Sequence, residues 1–214
     1  MAQTATTRPR RTPAAAREHG PAFARGPSAS ARERLLRAAL SRFESDGALG
    51  ATLEDIRRDA GVSVGAVYHH FADKTGLATA LYVELTAEFQ EGFAAELRSH
   101  SDAEEAVRAG VRFYLRWVSA NRAAAAFLLG ERPGEDPGLR ERNRAFFAEV
   151  TAWWRTHVHY GVLRDLPFDT INALWLGPAH EYTRHWVAGR GKRVPAAVAE
   201  VLADAAWQTL KETA

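Results

Sequence analysis

Histidine is the side chain most often used to bind metals or move protons near neutral pH, and this chain places histidines in three close pairs: His69 with His70, His157 with His159, and His180 with His185. The last pair frames "HEYTRH", which approaches a zinc-protease motif. That motif needs its histidines at i and i+4 on one helical face; five residues apart, they diverge. His157 and His159 are two apart and cannot share a helical face either. A site built from His157, His180 and Glu181 across helices is open to the sequence, but packed or exposed histidines are the simpler reading. "GRGKR" (189–193) lacks the spacing and the preceding strand of a phosphate loop and reads as a solvated basic loop. No nucleophile elbow or dinucleotide fingerprint is present, and with no cysteine there are no disulfides or thiolate metal sites. Neither an enzyme nor a cofactor or metal is expected. The remaining pair lies in "GVSVGAVYHHFADKTGL" (61–77), where glycines, a serine, a tyrosine and a lysine are spaced as nucleic-acid contacts would be.

The elements that must carry these residues are helices. Alanine, leucine, glutamate and arginine dominate, β-branched residues are sparse, and no stretch alternates with period two. An all-α fold follows. Ser30 with Glu33 forms a capping box, after which Leu36, Leu40 and Phe43 share a face and Gly47 is a plausible stop. Thr52 with Asp55 forms a second box before a short helix holding Ile56 and Ala60. Ser63 caps "VGAVYHHF", which buries Val67 and Phe71, and Asp73 caps a longer helix over about 74–97. Further helices are expected at about 102–120, 122–130, 139–160, 169–188 and 195–212, the last with proline at its first position. "ERPGEDPG" (131–138) reads as a loop.

The longest apolar run, "AAAAFLLG", is too short to cross a bilayer, and the N-terminus has no apolar core of the secretory kind. A cytoplasmic protein with no membrane partner is expected. Residues 1–29 are too poor in large apolar groups to offset ordering entropy, so they read as a disordered basic tail. The first thirty residues hold five arginines against one glutamate, a net of +4, whereas residues 81–214 hold 16 basic and 18 acidic groups. Such asymmetry suits an anionic partner near the N-terminus, although a tail serving only solubility has the same composition.

Two short helices joined by "AGVS", the second opening on a capping serine, match a helix-turn-helix. Gly61 permits the positive φ that ends a helix in a tight turn, Val62 can plug the gap between the helices, and Gly65 leaves the start of the second helix without bulk. Over residues 32–85 the chain closely resembles the TetR family of transcriptional repressors. The resemblance rests on Phe43-x-x-x-Gly47, Thr52, Ile56, the run Ala60-Gly61-Val62-Ser63, Gly65, Tyr68, Phe71, Lys74 and Leu77. Arg57 and Gly76 depart from it, the first adding charge by the turn and the second loosening the next helix. The resemblance implies phosphate contacts from Thr52, Tyr68 and Lys74, helped by Ser63 and His70. It sets Val64, Gly65, Ala66 and His69 toward base edges, where valine and alanine can meet thymine methyl groups.

By the same resemblance, residues 30–76 form the DNA-binding domain and residues 77–214 a helical domain for effector binding and dimerisation. That domain is rich in aromatics, and aromatic-lined cavities between helices suit organic ligands. Phe89, Phe93, Phe113, Trp117, Phe127, Phe147, Trp154 and Trp175 are the candidate wall, with His180 and Glu181 as its polar groups. Pro178 after Gly177 should kink the helix there and free a carbonyl near Leu174, either to line such a pocket or only to fit the bundle. Val198, Val201, Leu202, Ala205 and Leu210, with Ile171, Leu174 and Trp175, form an apolar stripe that would serve a monomer core equally. The family's four-helix interface makes a homodimer through the last two helices the expectation. The function expected is a repressor on a palindromic operator of double-stranded DNA, released by a small organic molecule. The alternative is a DNA-bound interaction protein of the same fold without an inducer.

Overall fold

The computed structural model describes residues 29–130, 136–189 and 194–213. All but the last residue of the expected N-terminal tail, most of the "ERPGEDPG" loop and most of "GRGKR" lie outside the described residues. Among the described residues ten helices follow in order: α1 (Ala31–Gly50), α2 (Leu53–Ala60), α3 (Val64–His70), α4 (Lys74–Arg98), α5 (Ala103–Ala120), α6 (Arg122–Gly130), α7 (Pro137–His159), α8 (Phe168–Trp175), α9 (Gly177–Ala188) and α10 (Ala196–Leu210). Among the described residues the only strand-like pairing is one antiparallel bridge between Leu163 and Lys211.

Local chemistry sets most boundaries. The capping box of α1 is complete: the Glu33 N–H donates to Ser30 Oγ (3.2 Å) and the Ser30 N–H to Glu33 Oε2 (2.7 Å). The backbone bond from Ser30 is the main reason the Glu33 carboxyl sits below the usual carboxylate range. Helical geometry breaks at Gly47 (φ 70°), although α1 runs on to Gly50. The box expected at Thr52 forms only by half. Asp55 N–H donates to Thr52 Oγ1 (3.1 Å), but the hydroxyl then donates to Asp55 Oδ2 at 2.5 Å. Aspartate is one methylene shorter than the glutamate of a full box and does not reach back to the cap's backbone.

Gly61 ends α2 in the left-handed region (φ 61°, ψ 41°), its N–H donating to the carbonyls of Arg57 and Arg58. Gly61→Ala should therefore cost about 1–2 kcal/mol of stability, the strain of a Cβ in that conformation; a urea midpoint unchanged from the parent would show that the turn relaxes.

The single kinked helix expected over 169–188 is two helices. Pro178 has no N–H and crowds the preceding turn, so α8 stops at Trp175 and α9 begins at Gly177. Leu176 bridges them: its N–H donates to Asn172 and its carbonyl accepts from His180 (2.8 Å). Pro195 likewise caps α10 from outside and does not occupy its first turn.

One hydrophobic core runs through the molecule. At the N-terminal end Leu35, Leu36, Ala39 and Phe43 of α1 meet Ile56, Val62, Val67 and Phe71. The 25-residue α4, roughly 37 Å long at 1.5 Å per residue, joins this head to the body: Leu77, Leu81 and Leu85 are buried in its first half, Phe93 and Leu97 in its second. The body packs α5 against α4 and α10. Trp175 of α8 is locked in by its indole N–H bond to the Val107 carbonyl (2.9 Å). Arg112 of α5 grips Glu200 of α10 and Glu105, and Arg108 pairs with Asp204. At the junction, Phe127 of α6 stacks on Phe43 of α1 with ring centroids 5.3 Å apart and planes 6° from parallel. The far end of α6 is tied to α9, where the Arg122 guanidinium lies 4.7 Å over the Trp186 ring and donates to the carbonyls of Val187 and Gly189.

Candidate nucleic-acid interface and internal cavity

The helix α3 is held from one side and open on the other. Ser63 Oγ accepts the Ala66 N–H (3.2 Å), while Val62, Val67 (2 % exposed) and Phe71 are buried against α1 and α2. Around the rest of the helix Val64 is 55 % exposed and Tyr68 63 % exposed, with Gly65, His69 and His70 also exposed. A Cβ on Gly65 would approach nothing closer than Ser63 Oγ at 4.0 Å, so packing within this chain does not require glycine there. Large apolar side chains left in solvent beside a bare backbone make a surface shaped for something outside the chain.

Three expected contact residues are placed differently. Ala66 is half-buried and packs on the core, so it stands back from the open face. The Thr52 hydroxyl is exposed but already engaged by Asp55. Lys74 is half-buried and its Nζ donates to the Ala51 carbonyl (3.0 Å), tying the start of α4 to the turn before α2. Arg57 does not add free charge by the turn. Glu54 holds it through Nε (2.7 Å) and Nη2 (2.6 Å), and Nη1 donates to the Val62 carbonyl (2.9 Å). Arg42 pairs with Asp59 through two bonds, at 2.5 and 3.0 Å. These arginines hold the Glu54 and Asp59 carboxyls below the usual carboxylate range. Residues 30–76 carry seven basic and seven acidic groups, so the head has no net charge of its own. Gly76 does not loosen α4, because its N–H donates to the capping Asp73 (2.7 Å).

In the body a cavity of about 340 Å³ lies between α4, α7, α8 and α9. Five of the expected residues line it: Phe89, Phe93, Phe147, Trp175 and His180. Five do not. Phe113 packs outside it against Phe89 and Phe93, and Trp117 is buried edge-on to Phe89. Phe127 belongs to the junction with α1, and the Trp154 indole donates to the Arg164 carbonyl. Glu181 is exposed and pairs with Arg184 and His185. Leu176 and His180, at the break between α8 and α9, border the cavity; Leu174 does not. Nothing in the sequence pattern singles out Gln90 and Asn143, which also line it and are joined by an amide–amide bond of 2.6 Å. The one hint is a glutamine among the buried positions of α4. A larger depression of about 660 Å³ beside the start of α4 is an open surface groove, lined by Arg32 and Asp73 among others.

His180 packs edge-on to the Tyr114 ring (4.7 Å). Burial lowers its pKa, with Arg184 adding to the effect, and burial also lowers that of His157. Burial pushes the Tyr114 phenol up to about 12. The unfolded chain therefore takes up these histidine protons at higher pH than the folded one, so stability should fall as pH drops through the ordinary value of 6.5. Melting temperatures at pH 7.5 and 5.5 test this: His180→Phe should show the smaller acid loss, and an equal loss in both proteins would locate the effect elsewhere. Among the described residues no three His, Asp or Glu side chains converge as a metal site, and no helix is long and apolar enough to cross a membrane.

The stripe expected to pair two copies divides. Leu210, Ile171 and Trp175 are core residues, Val198, Leu202 and Leu174 are half-buried, and only Val201 (66 % exposed) and Ala205 face outward. Packing within the chain, of α10 on α5 and α8, consumes the rest.

Residues 35–81 match the family model described as bacterial regulatory proteins, tetR family. The HTH-type transcriptional regulator BetI of Cronobacter sakazakii is 38 % identical over 77 residues, which are 36 % of this chain and 38 % of that protein's length. Two solved structures share the fold through nearly their whole length. A TetR family transcription regulator from Marinobacter aquaeolei superposes with a TM-score of 0.73 at 16 % identity, over 86 % of this chain and 96 % of the other. The regulator FadR from Bacillus subtilis, in complex with stearoyl-CoA, superposes with a TM-score of 0.68 at 16 % identity, over 81 % and 96 %.

Proposed function

We propose, on the match of residues 35–81 to the tetR family model, that the chain is a TetR-family transcriptional regulator, and more narrowly a cytoplasmic repressor that binds a palindromic operator as a homodimer and is released by a small organic effector. Its relatives and its fold are those of transcription regulators, not enzymes. The observation that carries the proposal is the open face of α3, where Val64 and Tyr68 stand in solvent while Val67 is buried. In this reading residues 30–76 are the reading head and residues 77–214 the effector and dimer domain. Tyr68, Lys74 and the Ser63 hydroxyl hold phosphates, with His70 beside them; the Thr52 hydroxyl would join them only by giving up its bond to Asp55. Val64, Gly65 and His69 face base edges, and Ala66 supports them from behind. Phosphate contacts fix register, whereas base-edge contacts carry sequence information. Two copies joined through the last two helices, with Val201 and Ala205 at the seam, would set their α3 helices about 34–36 Å apart in successive major grooves.

The aromatic cavity favours an effector over the reading of a bare DNA-bound interaction protein, for which a filled body would be expected. That FadR holds stearoyl-CoA supports the capacity of this fold for an organic ligand. An effector that prefers one arrangement of α4 would shift the balance between DNA-binding and released states by its differential affinity.

The test is fluorescence anisotropy of the full-length chain with duplexes from its own upstream region, with the stoichiometry determined. Two chains should bind per palindrome, and affinity should fall steeply between 50 and 200 mM salt, by about a thousandfold if six phosphates are neutralised. Removing residues 1–29 should flatten that dependence. Absence of binding at low salt, or one chain per site, would overturn the proposal.

A further inference from the structure

We propose that the body cavity takes an uncharged, flat, apolar molecule bearing a single N–H or O–H donor, which it presents to the side-chain carbonyl of Gln90. The inference rests on the reading of that cavity as the effector site and adds the chemistry of the ligand.

Three observations carry it. First, none of the residues lining the cavity is Asp, Glu, Lys or Arg. A charged ligand would lose its hydration without gaining a counter-ion, and burial of an unpaired charge is among the most unfavourable events in a protein. The one lining histidine, His180, is itself buried against Tyr114 and is disfavoured as a cation by that burial.

Second, the wall is a connected run of rings. Phe168 meets Phe147 (5.4 Å), Phe147 meets Phe146 (5.3 Å), Phe146 meets Phe93 (6.0 Å), and Phe93 meets both Trp175 (5.5 Å) and Phe89 (5.9 Å). Ring faces and edges set at such distances favour a planar guest, which can stack on one and meet the edge of another. Gly110 fixes part of this wall: a Cβ there would come within 3.0 Å of the Trp175 ring and 3.3 Å of the Phe93 ring.

Third, the wall contains one buried acceptor that the protein leaves unused. Gln90 is only 7 % exposed; its Nε2 donates to Asn143 Oδ1 (2.6 Å), and its Oε1 has no hydrogen-bond partner. Buried polar atoms are ordinarily satisfied. The Asn143 bond restrains the amide and leaves Oε1 to a donor from the ligand. A site built around a buried acceptor discriminates against guests of the same shape that lack the donor, because the acceptor is then sealed in without a partner.

Four compounds with one ring system separate these features: indole (neutral, one N–H), 1-methylindole (neutral, no donor), tryptamine (cationic) and indole-3-acetate (anionic). In calorimetric titrations of the full chain at pH 7, indole should bind. Each of the other three should bind at least about tenfold more weakly, the scale set by a buried acceptor left unpaired. Gln90→Leu should close the gap between the two, weakening indole and leaving 1-methylindole bound at least as tightly as by the parent. The comparison of the four on the parent chain stands even if that variant does not fold. Equal affinity for indole and 1-methylindole, tighter binding of either charged compound, or binding of none of the four would overturn the inference. Operator release is scored separately by anisotropy. Indole that binds without releasing DNA leaves the cavity chemistry standing and removes the ligand-released repressor. Release by tryptamine in preference to indole does the reverse.

Discussion

Replacing Tyr68 with alanine should lower operator affinity by about a hundredfold or more while leaving the folded protein as stable as its parent. The two halves of this expectation come from one observation. Tyr68 is 63 % exposed, so its removal opens no cavity, and surface substitutions of this kind usually fall within about 0.5 kcal/mol of neutral. At the operator its phenol would donate to a phosphate, and hydrogen bonds to charged groups contribute roughly 1.5–3 kcal/mol each. A dimer makes the contact twice, so the losses compound. Tyr68→Phe separates the hydroxyl from the ring: it should lose most of the affinity if the hydroxyl grips phosphate and little if the ring only covers the sugar. Anisotropy titrations at one fixed salt concentration, paired with thermal melts, give both readouts. Unchanged DNA binding by the alanine variant would remove α3 as the reading element.

The second large effect is expected at the junction. Phe127→Ala should destabilise the protein by about 3–5 kcal/mol, the usual cost of deleting a buried phenylalanine. Phe127 is 7 % exposed and lies flat on Phe43, and Tyr82 closes its flank at 6.4 Å. Deleting the ring would leave Phe43 without its partner and loosen α1 from α6, so the head and body should melt less cooperatively. In a chain of this size about 1 kcal/mol corresponds to a shift of roughly 2–4 °C in melting temperature. A drop of about 10 °C or more is thus expected, with Phe127→Leu intermediate. A shift under 2 °C would show that the stack contributes little and that α4 alone joins the two parts.

What could be read from the sequence follows the range of the forces involved. The caps at Ser30, Ser63 and Asp73 and the turn at Gly61 depend on neighbours within three or four residues, and they form where the pattern places them. The open face of α3 was legible for the same reason, since Val67 and Phe71 fix which way the short helix turns. The body was less transparent. Phe89 and Phe127 look alike in sequence, yet one borders the cavity and the other the junction, because the choice depends on which helix arrives opposite. Pro178 marks the place of the break, but that the helix ends and restarts instead of bending shows only in the backbone around it, where Leu176 closes α8 and opens α9. Arg57 brings no spare charge to the turn because Glu54, three residues earlier on the same helix, takes it up.

The even balance of charge on the head bears on the kinetics of finding a site. With Arg57 and Arg42 spent on Glu54 and Asp59, α1 to α3 approach a polyanion with little long-range attraction of their own. Encounter rates of charged partners follow the net field, whereas lifetimes follow the close contacts. The +4 carried by the first thirty residues then governs how often the protein arrives, and the shape and hydroxyl of α3 govern how long it stays. Substitutions in the arm should alter association rates in a salt-sensitive way, and those at Val64 or Tyr68 should alter dissociation. A DNA-binding regulator so divided can have its search speed and its residence time adjusted separately, by changes in two separate stretches of chain.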